Sequence, residues 1–144
     1  MTRVLVINGP NLNLLGQREP QIYGKSTLED LEDKLKQYGN NIGIEVFCVQ
    51  TNIEGDIINY LHDGANKYDG VILNAGAYSH YSIAIHDAIL AINIPVIEVH
   101  LSNVYKREEF RKKQVLASAC VGQISGFGQF GYMLALQYFK KDGE

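Results

Sequence analysis

The sequence predicts an α/β domain in which helices cover a parallel β-sheet, and three observations lead to this prediction. Short apolar runs rich in β-branched residues recur along the chain, and patterns with helical spacing fill the intervals between them. The apolar runs do not alternate with polar residues, which is typical of strands that are buried on both faces. The chain has 144 residues, a normal length for a single domain, and 46% of them are hydrophobic.

Five apolar runs are the predicted strands. The first is Val4–Ile7, which ends at the turn signal Asn8-Gly9-Pro10. The others, in chain order, are 44–49, 70–73, 95–101 and a weaker run at 120–124. Strands that alternate with helices predict a doubly wound parallel sheet, and right-handed crossovers place helices on both of its faces. With five strands, the flavodoxin-like order 2-1-3-4-5 is favoured.

Helices are predicted from apolar residues with helical spacing and from capping patterns before them. Leu28, Leu31 and Leu35 repeat at helical intervals in the first helix, and the third contains Ile85 and Ile89. A short charged helix is predicted from Tyr105 to about Gln114, and the last helix follows Gly126–Gly128. The predicted N-terminal caps are Ser26 with Glu29, Thr51 with Glu54, and Ser79.

Composition argues against several classes of protein. The net charge is −3 and no basic run stands out, which argues weakly against a nucleic-acid partner. No apolar stretch approaches the roughly 20 residues of a membrane span, and the apolar start is too short for a signal peptide. The two cysteines, Cys48 and Cys120, are predicted to be small buried apolar residues. We therefore expect a cytoplasmic protein with no metal site and no membrane partner.

The predicted topology indicates where a ligand binds. In an open parallel sheet, ligands bind beyond the carboxyl ends of the strands at the switch point, here strands 1, 3 and 4. The long non-periodic segment after strand 1 contains Arg18 and Tyr23, and we expect a lid at about residues 17–25. Polar side chains come from all three strand ends, namely Asn8 and Asn11, Asn74, Ser79 and His80, and Glu98, His100 and Ser102.

These residue types favour proton transfer on a small polar substrate. Glu98 and His100 are two apart, so their side chains share one face of a buried strand, where unpaired ionisable groups are costly. Arg18 beside Tyr23 would favour the phenolate, which is a useful base near neutral pH. General acid–base chemistry of this kind needs no cofactor.

Two alternatives remain beside an enzyme of this kind. One is a flavodoxin-like module that binds FMN or responds to phosphate. Against it, there is no glycine-rich phosphate loop, and Asn8 and Asn74 stand where a phospho-accepting domain needs aspartates. The other is a homologue that assembles without catalysing a reaction.

Long motifs in the sequence resemble those of the type II 3-dehydroquinate dehydratases. Asn8-Gly9-Pro10-Asn11-Leu12-Asn13-Leu14-Leu15-Gly16, with Arg18-Glu19-Pro20 and Tyr23-Gly24, resembles the opening signature of that family. The remaining motifs are Gln50-Thr51-Asn52 with Glu54-Gly55, Asn74 to His80, Glu98 to Asn103 with Arg107-Glu108 and Phe110-Arg111, and Gly126-Phe127-Gly128 with Gly131-Tyr132. The similarity spans essentially the whole chain.

The resemblance implies an activity and a role for each site residue. The expected reaction is the reversible anti dehydration of 3-dehydroquinate to 3-dehydroshikimate, in the shikimate pathway, through an enolate and without a cofactor. By the same resemblance, Tyr23 is the base, Arg18 stabilises its phenolate, and His100 is the general acid oriented by Glu98. Asn11 holds the enolate oxygen through a water; Asn74, Ser102 and the backbone of Leu101 hold the carboxylate; His80 and Arg111 bind ring hydroxyls.

The resemblance also implies an assembly. The family pattern is a homododecamer built as a tetramer of trimers, in which a neighbouring subunit supplies Asp87 to the site. His80 and Asp87 are seven residues apart on one predicted helix, so they share a face but lie about 10 Å apart along it. One small substrate could not then contact both residues of the same chain.

Overall fold

The predicted α/β fold class and strand order are confirmed. The computed structural model describes residues 1–17, 19, 21 and 25–141. Its strands form one parallel sheet with the order β2-β1-β3-β4-β5. The strands are β1 (Thr2–Asn8), β2 (Ile44–Gln50), β3 (Gly70–Asn74), β4 (Val96–His100) and β5 (Gly122–Ser125).

Four α-helices pack against this sheet in the described part of the chain. They are α1 (Leu28–Asn41), α2 (Glu54–Gly64), α3 (Ile83–Ala91) and α4 (Phe130–Phe139). None of the described helices is long and apolar enough to cross a membrane.

The two faces of the sheet support two separate apolar cores. In β1, Val4 and Val6 face the core that contains α1 and α4, whereas Leu5 and Ile7 face the core that contains α2 and α3. All four side chains are at most 3% exposed. Successive side chains of a strand point to opposite faces, so a strand covered on both sides must be apolar throughout. This requirement explains the unalternating runs in the sequence.

The register of the sheet brings polar strand ends to one edge. Asn8 pairs with Gln50 of β2 on one side and with Asn74 of β3 on the other. On the far side of β4, His100 pairs with Ser125. Because the strands are parallel, these polar residues lie at the same carboxyl edge of the sheet.

The capping box of α1 lies one residue later than predicted. Thr27, not Ser26, is the N-cap, and its hydroxyl accepts a hydrogen bond from the Asp30 amide at 3.1 Å. The Asp30 carboxylate accepts one from the Thr27 amide at 3.1 Å. The sequence offers two overlapping capping patterns, and the hydrogen bonds select Thr27 with Asp30.

The caps predicted for α2 and α3 are also wrong. The Thr51 hydroxyl donates to Asp56 at 2.7 Å and accepts from the Ile53 amide. Thr51 therefore stabilises the turn before α2 and does not form the predicted capping box with Glu54. Ser79 is buried in a 3₁₀ turn (Gly76–His80), and Ser82 caps α3 by accepting from the Ile85 amide at 3.0 Å. The Ser82 hydroxyl also donates to Glu54, which joins the starts of α2 and α3.

The predicted charged helix between Tyr105 and Gln114 is replaced by two 3₁₀ turns, Val104–Lys106 and Glu109–Lys112. This stretch has few apolar residues with which to bury a longer helix, and only Val104 of the two turns is buried. His80 lies in its own 3₁₀ turn before α3 begins, so the assumption that His80 and Asp87 share one helix is wrong.

Candidate active site

A cleft of about 200 Å³ opens at the carboxyl edge of the sheet, next to the ends of β1, β3 and β4. This is the position that the topology predicts for a ligand. Its wall is formed by Pro10, Asn11, Leu12, Leu15, Asn74, Gly76, Ala77, His80, His100, Leu101, Ser102, Val104, Arg107 and Arg111.

Most predicted site residues are brought together at this cleft. Seven line it directly, namely Asn11, Asn74, His80, His100, Leu101, Ser102 and Arg111. Glu98 lies behind His100 and is in contact with it. Asp87 is exposed on α3 and is not one of the residues that line the cleft. Arg18 and Tyr23 lie outside the described residues.

A buried carboxylate–imidazole pair lies at the floor of the cleft. His100 Nε2 lies 2.8 Å from Glu98 Oε2, and the two residues are 6% and 0% exposed. Burial raises the pKa of the Glu98 carboxyl, but hydrogen bonds from His100 and Gln123 and the His100 charge outweigh it and hold that pKa below its usual range. Glu98 is therefore a carboxylate that accepts the Nε2 proton of His100, which leaves Nδ1 as the ring nitrogen for proton exchange.

His80 stands beside this pair as a neutral ring. Its plane is 24° from that of His100, with ring centroids 6.2 Å apart. Its Nδ1 donates to the Lys113 carbonyl at 2.8 Å, so in the neutral ring Nε2 is an acceptor. Burial lowers the pKa of His80, and the charges of His100 and Arg111 lower it further, against the effect of the Lys113 carbonyl. A neutral imidazole suits a hydrogen bond from a hydroxyl group.

The loop after β1 is held by the turn after β2. Asn11 adopts a left-handed backbone conformation with φ of 71°, and its amide donates to the Asn52 side chain at 3.0 Å. The Gln50 side chain donates both to the Gly9 carbonyl at 3.2 Å and to Asn52 at 3.1 Å. A Cβ atom at Gly9 would lie 2.9 Å from the backbone of Ala75, so only glycine permits this close approach.

Asn74 has a fixed amide orientation at the wall of the cleft. Its Oδ1 accepts from the Gly76 amide at 3.2 Å, and its Nδ2 donates to the Tyr132 hydroxyl at 3.0 Å. Burial raises the pKa of the Tyr132 phenol, so the hydroxyl stays protonated and donates to Asn8 at 2.6 Å. The second hydrogen of Asn74 Nδ2 is then the one available to a ligand.

Two arginines, each paired with a carboxylate, line one side of the cleft. Arg107 Nη1 lies 3.4 Å from the Ser102 hydroxyl, and Arg111 Nε contacts the Glu108 carboxylate at 3.1 Å. Arg107 also faces Glu19 at 3.7 Å. Guanidinium groups recognise carboxylates and other oxyanions well, so this side suits an anionic substrate group.

The sequence interpretation missed several residues that support the site. Arg107 lines the cleft in the same polar segment as Arg111, and its place in the Arg107-Glu108 motif is the signal that could have identified it. Tyr132 belongs to the last motif of the sequence, and its hydroxyl joins Asn8 to Asn74. Gln123 was not singled out, although the predicted strand pairing could have placed it opposite Glu98.

No metal centre is built from the residues that the structure describes. Within that part of the chain, no three or more His, Cys, Asp or Glu side chains are grouped so as to hold an ion. Cys48 and Cys120 are half-buried free thiols, less buried than the sequence suggested, and burial raises the pKa of each to about 12.

Comparisons with known proteins match nearly the whole chain. A family model described as Dehydroquinase class II matches residues 2–140. A 3-dehydroquinate dehydratase of Clostridium perfringens is 56% identical over 140 residues, which cover 96% of this chain and 96% of the relative. Among solved structures, a type II dehydroquinase from Propionibacterium acnes is 44% identical with a TM-score of 0.95, covering 99% and 98% of the two chains. One from Butyrivibrio crossotus is 46% identical with a TM-score of 0.95, covering 97% and 98%.

Proposed function

The chain belongs to the class II dehydroquinase family, and from this premise we propose that it dehydrates 3-dehydroquinate to 3-dehydroshikimate in the cleft at the carboxyl edge of the sheet. The relatives named 3-dehydroquinate dehydratase and the type II dehydroquinase structures support the reaction. The single observation that carries the assignment to the cleft is the buried Glu98–His100 pair at its base.

The proposed reaction removes a proton and a hydroxyl group in two steps. A base takes the proton from the carbon next to the ketone, and the electron pair of that bond passes to the ketone oxygen to form an enolate. When the enolate collapses, the oxygen electron pair re-forms the ketone, and the carbon–carbon π electrons form the new double bond and expel the hydroxyl group. The departing hydroxyl group takes a proton from an acid and leaves as water. Acid and base contribute on the order of 10²- to 10⁴-fold each.

His100 is the proposed acid of the second step. Its Nε2 is held by the Glu98 carboxylate, so Nδ1 is left to protonate the departing hydroxyl group. Glu98 therefore orients the ring for this transfer.

The other walls of the cleft provide the proposed binding groups. Asn74, Ser102 and the backbone amides of Leu101 and Ser102 are proposed to hold the substrate carboxylate, beside the positive charge of Arg107 and Arg111. His80 and Arg111 are proposed to bind the ring hydroxyls, and the neutral His80 ring suits an acceptor role. Asn11 is proposed to hold the enolate oxygen through a water molecule.

The proposed base and its activating cation lie on the predicted lid. Tyr23 would act as a phenolate, and Arg18 would stabilise that charge. Closure of residues 17–25 over the cleft would exclude water from the enolate. These roles rest on the family resemblance and on the described loop from Pro10 to Leu15, which leads from β1 along the cleft.

The proposed assembly is supported by the exposed face of α3. Ile83, Asp87 and Leu90 are spaced i, i+4 and i+7, so they share one face of the helix, and the two apolar residues are 69% and 63% exposed. We propose that a second copy of the chain covers this face and that Asp87 reaches the site of that neighbour, in trimers that build a dodecamer. The cytoplasmic location and the absence of a cofactor also stay predictions.

The reaction is tested by mixing the purified protein with 3-dehydroquinate and following ultraviolet absorbance. The product is a conjugated enone and the substrate is not. We expect a steady rise that persists with a chelator and that falls at least about 100-fold in Tyr23→Phe, which cannot form a phenolate.

A flat trace from folded protein would overturn the proposed function and leave the binding-module alternative. A rise that is unchanged in Tyr23→Phe would keep the reaction but remove Tyr23 as its base. Thermal melting of the variant checks that any loss of activity does not come from unfolding.

A further inference from the structure

Gln123 lies opposite Glu98 in the sheet. The parallel register of β4 and β5 pairs the two residues, so their side chains emerge side by side on one face. Gln123 Nε2 donates to Glu98 Oε1 at 3.0 Å, while His100 occupies Oε2. Both oxygens of the completely buried Glu98 carboxylate therefore accept a hydrogen bond, as a buried charge requires.

Gln114 extends this contact to the substrate-binding side of the cleft. Gln123 Nε2 also donates to Gln114 Oε1 at 2.8 Å, and Gln114 Nε2 donates to the Arg111 carbonyl at 2.7 Å. The two amides can be oriented in only one way, because Glu98 at one end and the Arg111 carbonyl at the other end can only accept. The chain of amides thus has a fixed direction.

The segment that carries Gln114 is anchored on both sides. The Lys113 carbonyl accepts from His80, and the Val115 amide donates to the Ser79 carbonyl at 2.9 Å. The Val115 carbonyl accepts from His86 Nδ1 at 2.7 Å. These hydrogen bonds fix the backbone on both sides of Gln114.

We propose that Gln123 and Gln114 form a side-chain relay that positions the Glu98–His100 pair and connects it to the backbone of Arg111. The proposal rests on the proposed roles of Glu98, His100 and Arg111 in the dehydration. Gln123 and Gln114 are positioning residues, since they act through these groups. Through the relay, the segment that carries Arg111 also orients His100. Substrate binding by Arg111 and protonation by His100 therefore depend on the same segment.

Several titratable groups surround the relay and influence any pH dependence. His100 faces Glu98 from β4, and the His80 ring faces His100 from its 3₁₀ turn. The charge of Arg111 acts on His80, and the charge of Glu98 acts on Cys120, whose thiol stays protonated with a pKa of about 12. Neither glutamine nor methionine titrates, so a changed pH profile in Gln123→Met reports on the titratable groups around the relay.

The test compares kinetic pH profiles of Gln123→Met, Gln123→Glu and Gln114→Met. Methionine keeps the shape but cannot donate, so Gln123→Met should lower kcat about 10-fold or more and move the acidic limb of kcat/KM to higher pH, because Glu98 protonates more easily. Glutamic acid can donate to Glu98 only when protonated, so Gln123→Glu should instead lose activity as pH rises. Gln114→Met should raise KM about 3- to 10-fold, with a smaller change in kcat.

Gln137→Met is the matched control, because Gln137 is an exposed glutamine whose Nε2 donates to Tyr38 at 2.7 Å on another part of the molecule. Its profile should match the wild type. A lowered melting temperature in the Gln123 variants with unshifted pH limbs would show a merely structural role and overturn the relay. Glu98→Gln tests the acid pair separately from the relay. Full activity in this variant would overturn the proposed role of the acid pair. Reduced activity in Glu98→Gln beside normal activity in Gln123→Met would overturn the relay alone.

Discussion

A carboxylate with no solvent exposure is tolerated only when its charge is compensated by its neighbours. Glu98 meets this condition through His100 on one oxygen and Gln123 on the other. Removing one partner of a buried charged pair typically costs about 3–5 kcal/mol, because the remaining charge stays buried. Variants at this pair must therefore be judged by binding and melting as well as by rate.

Single residues differ in how far the sequence could predict them. Glu98 and His100 are two apart in an apolar run, and this spacing alone indicated a buried pair on one face. The partners of Asn74 could not be predicted in the same way, because Tyr132 lies 58 residues away and meets it only in the folded chain. The orientation of the half-buried His80 ring likewise depends on the Lys113 carbonyl, 33 residues away, which accepts from its Nδ1.

Helix starts illustrate how elements are chosen between competing local patterns. Ser26-Thr27 followed by Glu29-Asp30 fits two capping boxes, and the hydrogen bonds select Thr27 with Asp30. Local sequence could predict the helix but not the choice between its two caps, because Ser26 and Thr27 are both favourable N-cap residues with an acidic residue three positions later. The same argument applies to Ser79 and Ser82 before α3.

This choice of cap can be measured. Thr27→Ala should lower the free energy of unfolding by about 1 kcal/mol, because it removes the acceptor for the Asp30 amide. Ser26→Ala is the matched control and should change it by less than about 0.5 kcal/mol. Urea denaturation of both variants makes the comparison, and a larger effect at Ser26 would contradict the structure.

The order of the strands determines the fold of the molecule and the position of its cleft. The unalternating apolar runs predicted a parallel sheet of five strands, and the flavodoxin-like order favoured for five strands is the order β2-β1-β3-β4-β5 that the structure has. The same order brings β1, β3 and β4 side by side and so creates the cleft at their carboxyl ends. The association of the chain with copies of itself depends on its surface residues rather than on the pattern of apolar runs. The assembly was therefore predicted only from the family resemblance.

The exposed face of α3 allows the assembly to be tested. Leu90→Asp places a charge beside Asp87 in the proposed contact, so it should produce smaller species and lower the activity per chain about 10-fold or more. Gln37→Asp, which adds the same charge on the exposed side of α1, is the control and should change neither. Light scattering after size exclusion, combined with the absorbance assay, makes the measurement. A fully active wild-type monomer would contradict the proposed role of Asp87.

His100 is proposed to be the acid of a dehydration carried out in this cleft. The most direct test of this role is the turnover of 3-dehydroquinate by His100→Asn beside His62→Asn, which alters an exposed histidine of α2. We predict that kcat falls at least about 100-fold in His100→Asn, with product binding by calorimetry weakened only a few-fold, and that His62→Asn matches the wild type. A folded His100→Asn protein with wild-type kcat would contradict the account.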